Sequence, residues 1–136
     1  MDAKRIVIVD DDESIRKTFF LILSRKYLVY LARDAQEALA RFRAAEVDLI
    51  IADFKLPGTN SVANGLELIA EFRRSGYRGK VILISAFPDL VRREEVRNLD
   101  ISEFIVKPLD LQAFNRAIDG LLAEEAPPSR SVRETS

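Results

Sequence analysis

Ile6-Val7-Ile8-Val9-Asp10-Asp11-Asp12-Glu13 sets four β-branched apolar residues directly against four carboxylates. A run this short, branched and free of polar alternation is the pattern of a strand buried on both faces. Similar runs return at Leu28-Val29-Tyr30-Leu31, Leu49-Ile50-Ile51-Ala52, Val81-Ile82-Leu83-Ile84 and Phe104-Ile105-Val106. Helix-period segments separate them. Ile15, Phe19, Ile22 and Leu23 mark a first helix from about Ser14 to Ser24. Ala35, Ala38, Leu39 and Phe42 form a second stripe, opened by Asp34 and Glu37 as a capping-box pair. Leu66, Ile69 and Phe72 make another, ended by Gly76, and Leu111, Phe114, Ile118 and Leu121 make the last, opened by Asp110. Asp89–Leu99 also reads as a helix, although its middle, Arg92-Arg93-Glu94-Glu95, is fully charged.

Five strand-helix units in a row predict a three-layer, doubly wound α/β fold, a five-stranded parallel sheet with helices on both faces. In such sheets ligands bind beyond the carboxyl ends of the strands, so the residues just after each apolar run become the candidates. Residues 1–123 read as one domain. Residues 124–136 carry two prolines and no aromatic residue, the composition of a disordered tail or the start of a linker.

The 136 residues include no cysteine and no histidine. Disulfides, thiolate nucleophiles, Cys/His zinc sites and imidazole catalysis are therefore excluded, and a bound metal would meet oxygen ligands, which suits magnesium, manganese or calcium. With 21 basic and 22 acidic residues the net charge is −1, which gives no global field to hold nucleic acid or an anionic membrane. No apolar run approaches the roughly 20 residues of a membrane span, and the start resembles no signal peptide. The chain reads as soluble and cytoplasmic.

Four of the five apolar runs end in a polar group: Asp10 and Asp11 after the first, Asp53 after the third, Ser85 after the fourth and Lys107-Pro108 after the fifth. Asp12 and Glu13 are better read as the capped start of a helix. Asp10, Asp11 and Asp53 converging in one cleft would repel one another unless a divalent cation or a lysine stood among them. Lys107 supplies one positive charge, and magnesium, which leaves room for phosphate, would supply more. The arrangement suits a phosphoryl group. Taken alone, Lys107 is a surface lysine before a turn and Ser85 a hydroxyl bonded to backbone; their joint order is what points to function.

Those pieces, IVIVDDDES at 6–14, DLIIADFKLPG at 48–58, VILISAF at 81–87 and FIVKPL at 104–109, resemble the receiver domain of two-component response regulators, the CheY-like family, from about Lys4 to Leu122. The resemblance implies strand order 2-1-3-4-5. It implies that Asp53 accepts a phosphoryl group from a phosphohistidine on a partner kinase. It further implies magnesium held by Asp11, Asp53 and the Lys55 carbonyl, with Asp10 acting through water. Ser85 would be the switch hydroxyl, Lys107 would pair with the phosphoryl group through a cis Lys107–Pro108 bond, and Phe104 would be the aromatic that swings inward. The output surface would be the fourth helix, fifth strand and fifth helix. Implied partners are a sensor histidine kinase or phosphotransfer protein, and a downstream protein or fused effector, with a phosphorylation-dependent dimer as a further expectation. Such a domain is self-phosphorylating and slowly self-dephosphorylating; it is not a turnover enzyme.

Two departures stand out. Gly65 lies twelve positions beyond Asp53 where the family usually has about eight, so residues 59–64 read as a surface insertion. Asn98-Leu99-Asp100-Ile101-Ser102 replaces a common small Gly-Ala pair. Two rival readings are a haloacid-dehalogenase-like phosphatase, with Asp10 as nucleophile and Asp12 as acid–base, and a docking pseudo-receiver that needs no phosphorylation.

Overall fold

Burial of the five apolar runs draws the chain into a single sheet. The computed structural model describes residues 3–43, 46–56 and 64–123. Its elements are β1 (Arg5–Val9), α1 (Glu13–Leu23), β2 (Leu28–Ala32), α2 (Ala35–Arg41), β3 (Leu49–Asp53), α3 (Gly65–Arg74), β4 (Lys80–Ser85), α4 (Arg93–Asn98), β5 (Glu103–Val106) and α5 (Leu111–Leu122). All pairings are parallel, and the strand order is β2-β1-β3-β4-β5. The doubly wound architecture and the 2-1-3-4-5 order are therefore as expected. The tail at 124–136 and residues 59–63 of the insertion lie outside the described residues.

Alternation along the strands divides the core in two. Ile6, Ile8, Leu49, Ile51, Ile82 and Ile84 face α1 and α5, where Phe19, Leu23, Phe114 and Ile118 cover them. Val7, Val9, Ile50, Ala52, Val81 and Leu83 face the other way, against Ala38 of α2 and Leu68, Ile69 and Phe72 of α3. Burial on both faces holds for β1, β3 and β4, but the edge strands are only partly covered: Leu28, Tyr30 and Val106 are exposed. An edge strand lacks one neighbour, so its flanking helix covers less of it.

The caps explain most helix limits. Asp12, Asp34, Asn64 and Asp110 each accept amides of the first turn of the following helix. The Asp34–Glu37 pair forms with a shift: Glu37 reaches back to the amide of Arg33 rather than that of Asp34. At the other end of α3, Gly76 has φ 101° and the Tyr77 amide bonds the Phe72 carbonyl, a Schellman ending that needs the left-handed region.

The expected helix Asp89–Leu99 is shorter. Pro88–Leu90 forms a 3-10 turn, Val91 and Arg92 are extended, and α4 begins only at Arg93. No α4 residue is buried, and Val96 and Leu99 are only partly so. Too little apolar surface is available to hold a longer helix. Among the described residues, no helix is long and apolar enough to cross a membrane.

Candidate functional site

The two-residue period of the strands decides which strand-end groups meet. Asp10 continues the parity of Ile6 and Ile8, Asp53 that of Leu49 and Ile51, and Lys107 that of Ile105, all on the α1/α5 side. The register Val9↔Ala52 sets Asp10 beside Asp53, one step beyond the paired residues. The three side chains consequently converge at the carboxyl end of the sheet, where a cleft of about 330 Å³ is lined by Asp10, Asp11, Asp53, Lys55, Phe87 and Lys107 among others.

Lys107 Nζ donates to Asp53 Oδ2 at 2.6 Å, and the Lys55 amide donates to Asp53 Oδ1 at 3.0 Å. Asp53 is 6% exposed and Asp10 2%. Asp10 accepts the Asp12 amide at 2.9 Å, and its carboxylate stands beside that of Asp53. Its pKa is pushed up from 3.8 to about 6. Burial is the main cause, the Asp12 amide opposes it, Asp53's charge adds to it and Lys107 subtracts. For Lys107, burial works downward but is outweighed by the bond to Asp53 and the charges of Asp53, Asp10 and Asp11, so its pKa lies above the usual 10.5. The lysine thus stays charged at any ordinary pH.

Two crowded carboxylates, one lysine and oxygen donors alone make a donor set that suits a hard divalent cation. Among the described residues no three acidic side chains already stand as a ligand group. Asp11 is exposed at the mouth of the cleft, and Lys55 lines it. The Lys107–Pro108 bond is cis, as the resemblance implied.

Ser85 takes the opposite parity, that of Val81 and Leu83. It is buried at the end of β4, and its Oγ accepts the Phe87 amide at 2.9 Å. Phe104 shares that side, paired with Leu83, and packs partly buried on the α2/α3 core rather than in the cleft. Asp12 caps α1: its Oδ1 takes the amides of Ser14 at 2.8 Å and Ile15 at 3.3 Å. That is the helix-capping role the sequence favours for Asp12, although the residue also lines the cleft.

Three supports went unforeseen. Arg16 donates to the Asp10 carbonyl at 2.7 Å; a cation in the first turns of a helix opposes the helix dipole, and that mismatch was its signal. Phe87 forms a cleft wall with Lys55 Nζ 5.5 Å from its ring centroid. Gly65 lets α3 abut the site: a Cβ there would lie 2.4 Å from the Asp53 carbonyl oxygen, and its amide bonds the Phe54 carbonyl at 2.7 Å. Gly65 thus reaches the site despite the longer sequence spacing from Asp53.

A family model described as the response regulator receiver domain matches residues 6–119. The chain belongs to the response regulator receiver family. This receiver is 29% identical over 123 residues to the transcriptional regulatory protein GlrR of Escherichia coli, covering 90% of its own length and 27% of GlrR. Among solved structures it resembles the non-phosphorylated HemR receiver domain of Leptospira biflexa, with 27% identity, TM-score 0.78 and coverage of 92% and 98% of the two chains. It also resembles the response regulator TrrA of Thermotoga maritima, solved in complex with Mg2+-BeF, with 30% identity, TM-score 0.72 and coverage of 88% and 99%. The receiver spans 27% to 55% of the length of the first curated relatives it matches. It is a signalling domain of two-component type.

Proposed function

We propose that Asp53 accepts a phosphoryl group from a phosphohistidine on a sensor histidine kinase or phosphotransfer protein. The observation that carries this reading is the contact of Lys107 Nζ with Asp53 Oδ2 at 2.6 Å, with Asp10 against the same carboxylate, in an open cleft. An Asp53 oxygen attacks phosphorus in line while the phosphorus–nitrogen bond to the donor imidazole breaks, and the imidazole leaves with the electron pair of that bond. Lys107 then turns from the carboxylate to the incoming phosphoryl oxygens, where its charge offsets what develops there. Magnesium or manganese, held by Asp11, Asp53 and the Lys55 carbonyl with Asp10 through water, would supply the remaining positive charge; TrrA, solved with Mg2+-BeF, supports that expectation.

Ser85 donates its hydroxyl hydrogen to a phosphoryl oxygen, and the Phe104 side chain responds on the same side of the sheet. The α4–β5–α5 surface is the output, read in the cytoplasm by a downstream protein, a fused effector domain or a second phosphorylated copy. The chain turns over its own phosphoryl group and acts on no separate substrate. Incubation with a small acyl phosphate and magnesium should label the protein, and Asp53→Asn should abolish the label. Persistent labelling of that variant would refute the assignment, and an unlabelled wild type would favour the docking pseudo-receiver.

A further inference from the structure

Arg73, in the last turn of α3, spends its guanidinium on four backbone carbonyls. Nε donates to Leu99 at 2.9 Å, Nη2 to Asp100 at 3.0 Å, and Nη1 to Tyr77 at 3.1 Å and Gly79 at 3.0 Å. Its carbon also lies 5.3 Å from the ring centroid of Tyr77, which is buried. Leu99 and Asp100 are the end of α4; Tyr77 and Gly79 lead into the interior strand β4. A rigid, always charged fork therefore staples the C-terminal end of α4 to the core. That end is closed by a Schellman motif as well: Asp100 has φ 54°, its amide bonds Arg97 and the Ile101 amide bonds Val96.

The other end of α4 is held differently. It is reached through Phe87 and Leu90, 48% and 61% exposed, then through extended Val91 and Arg92. The Arg92 amide is bonded by Glu95 of the same helix, not by the core. The segment starts at the Phe87 amide, which rests on Ser85 Oγ. A rotation of Ser85 toward Asp53 must drag or release that amide, and either outcome disturbs the loop entering α4.

We propose that Arg73 is the pivot of the switch: it fixes the C-terminal end of α4 while phosphorylation-linked motion enters at the N-terminal end. This rests on the reading of Asp53 and Ser85 given above. As a positioning residue, Arg73 touches no reacting atom.

Amide hydrogen exchange of the full chain, with and without magnesium and beryllofluoride, tests it, with bound beryllofluoride followed separately by its fluorine resonance. In the wild type the mimic should change exchange at 87–96 by about tenfold or more and at 99–101 by less than about twofold. Arg73→Lys keeps the charge but not the fork. It should still bind the mimic, should expose the amides of Asp100 and Ile101 about tenfold, and should let the mimic's effect spread along all of α4. Equal change at both ends of wild-type α4 overturns the pivot alone, whether or not the variant folds, as does a lysine variant with the wild-type pattern. No bound fluorine signal in the wild type overturns the reading of Asp53 and the pivot with it.

Discussion

Replacing Asp10 by asparagine should stabilise the metal-free protein at neutral pH, because the wild-type carboxylate is ionised there at a cost. Its folded-state pKa is raised from 3.8 to about 6, so the folded protein holds this proton more tightly than the unfolded chain does. Stability is therefore greatest below the lower value, falls as pH rises through the interval, and is flat above it. At about 1.4 kcal/mol for each tenfold change in proton affinity, the interval corresponds to about 3 kcal/mol. About half of that loss is already present at pH 5, and essentially all of it at pH 7.5. Asparagine keeps an oxygen for the Asp12 amide and offers an amide hydrogen to Asp53, so the exchange removes the buried charge without orphaning either partner. Urea unfolding of both proteins in chelator, at several values between pH 5 and 8, should show the variant more stable by a margin that grows with pH. Carboxylates outside the cleft cancel in the difference. A variant that is less stable at pH 7.5, or a margin independent of pH, would refute the reasoning.

Lys107→Met should act in the opposite direction. Removing the cation that offsets Asp53 and Asp10 should cost about 2 kcal/mol at neutral pH, and carbon-detected NMR titration should place the Asp10 pKa above its wild-type value of about 6. Gly65→Ala brings a methyl within 2.4 Å of the Asp53 carbonyl oxygen, so backbone must move. About 3 kcal/mol should be lost in urea unfolding, together with most acyl-phosphate labelling; unchanged labelling would show that α3 does not set the position of Asp53. Asp100→Gly relieves a non-glycine residue at φ 54° and should raise thermal stability by about 0.5–1 kcal/mol. A lower melting temperature would mean that the Asp100 side chain contributes more than its backbone strain costs.

What could be read from the sequence was what repeats or stays local. Branched apolar runs gave the strands, and the two-residue period already carries the site: the residues two past Ile8, Ile51 and Ile105 are Asp10, Asp53 and Lys107. The caps Asp12, Asp34 and Asp110 were legible because capping acts within one turn. The limits of α4 were not, since its charged middle has no periodicity and extended Val91 and Arg92 interrupt it. That the Ser85 hydroxyl bonds backbone was the reading of that residue taken alone, but its partner, the Phe87 amide, could not be named from the sequence. The Arg73 fork joins residues 26 and 27 positions apart, and an arginine ending one helix says nothing of the carbonyls ending another.

The charged groups at the end of the sheet make the resting receiver less stable than an apolar strand end would, and that cost is the means by which the site can respond. Asp10 and Asp53 press like charges together at the ends of β1 and β3, where both side chains are buried. Lys107 offsets part of this. Any cation drawn to the remainder stabilises the fold by mass action, about 2.7 kcal/mol when present at a hundred times its dissociation constant, which is comparable with the cost of ionising Asp10. Proton and cation therefore compete for one excess of negative charge, a phosphoryl group on Asp53 would add to it, and each of these changes resets the pull on Lys107. Ser85 and Lys107 are joined through the Lys107 amide and the Ser85 carbonyl at 2.9 Å, where β4 meets β5. Under the reading of Asp53 proposed above, a change at the acidic pair would reach through this bond the two strands that lead into α4 and α5.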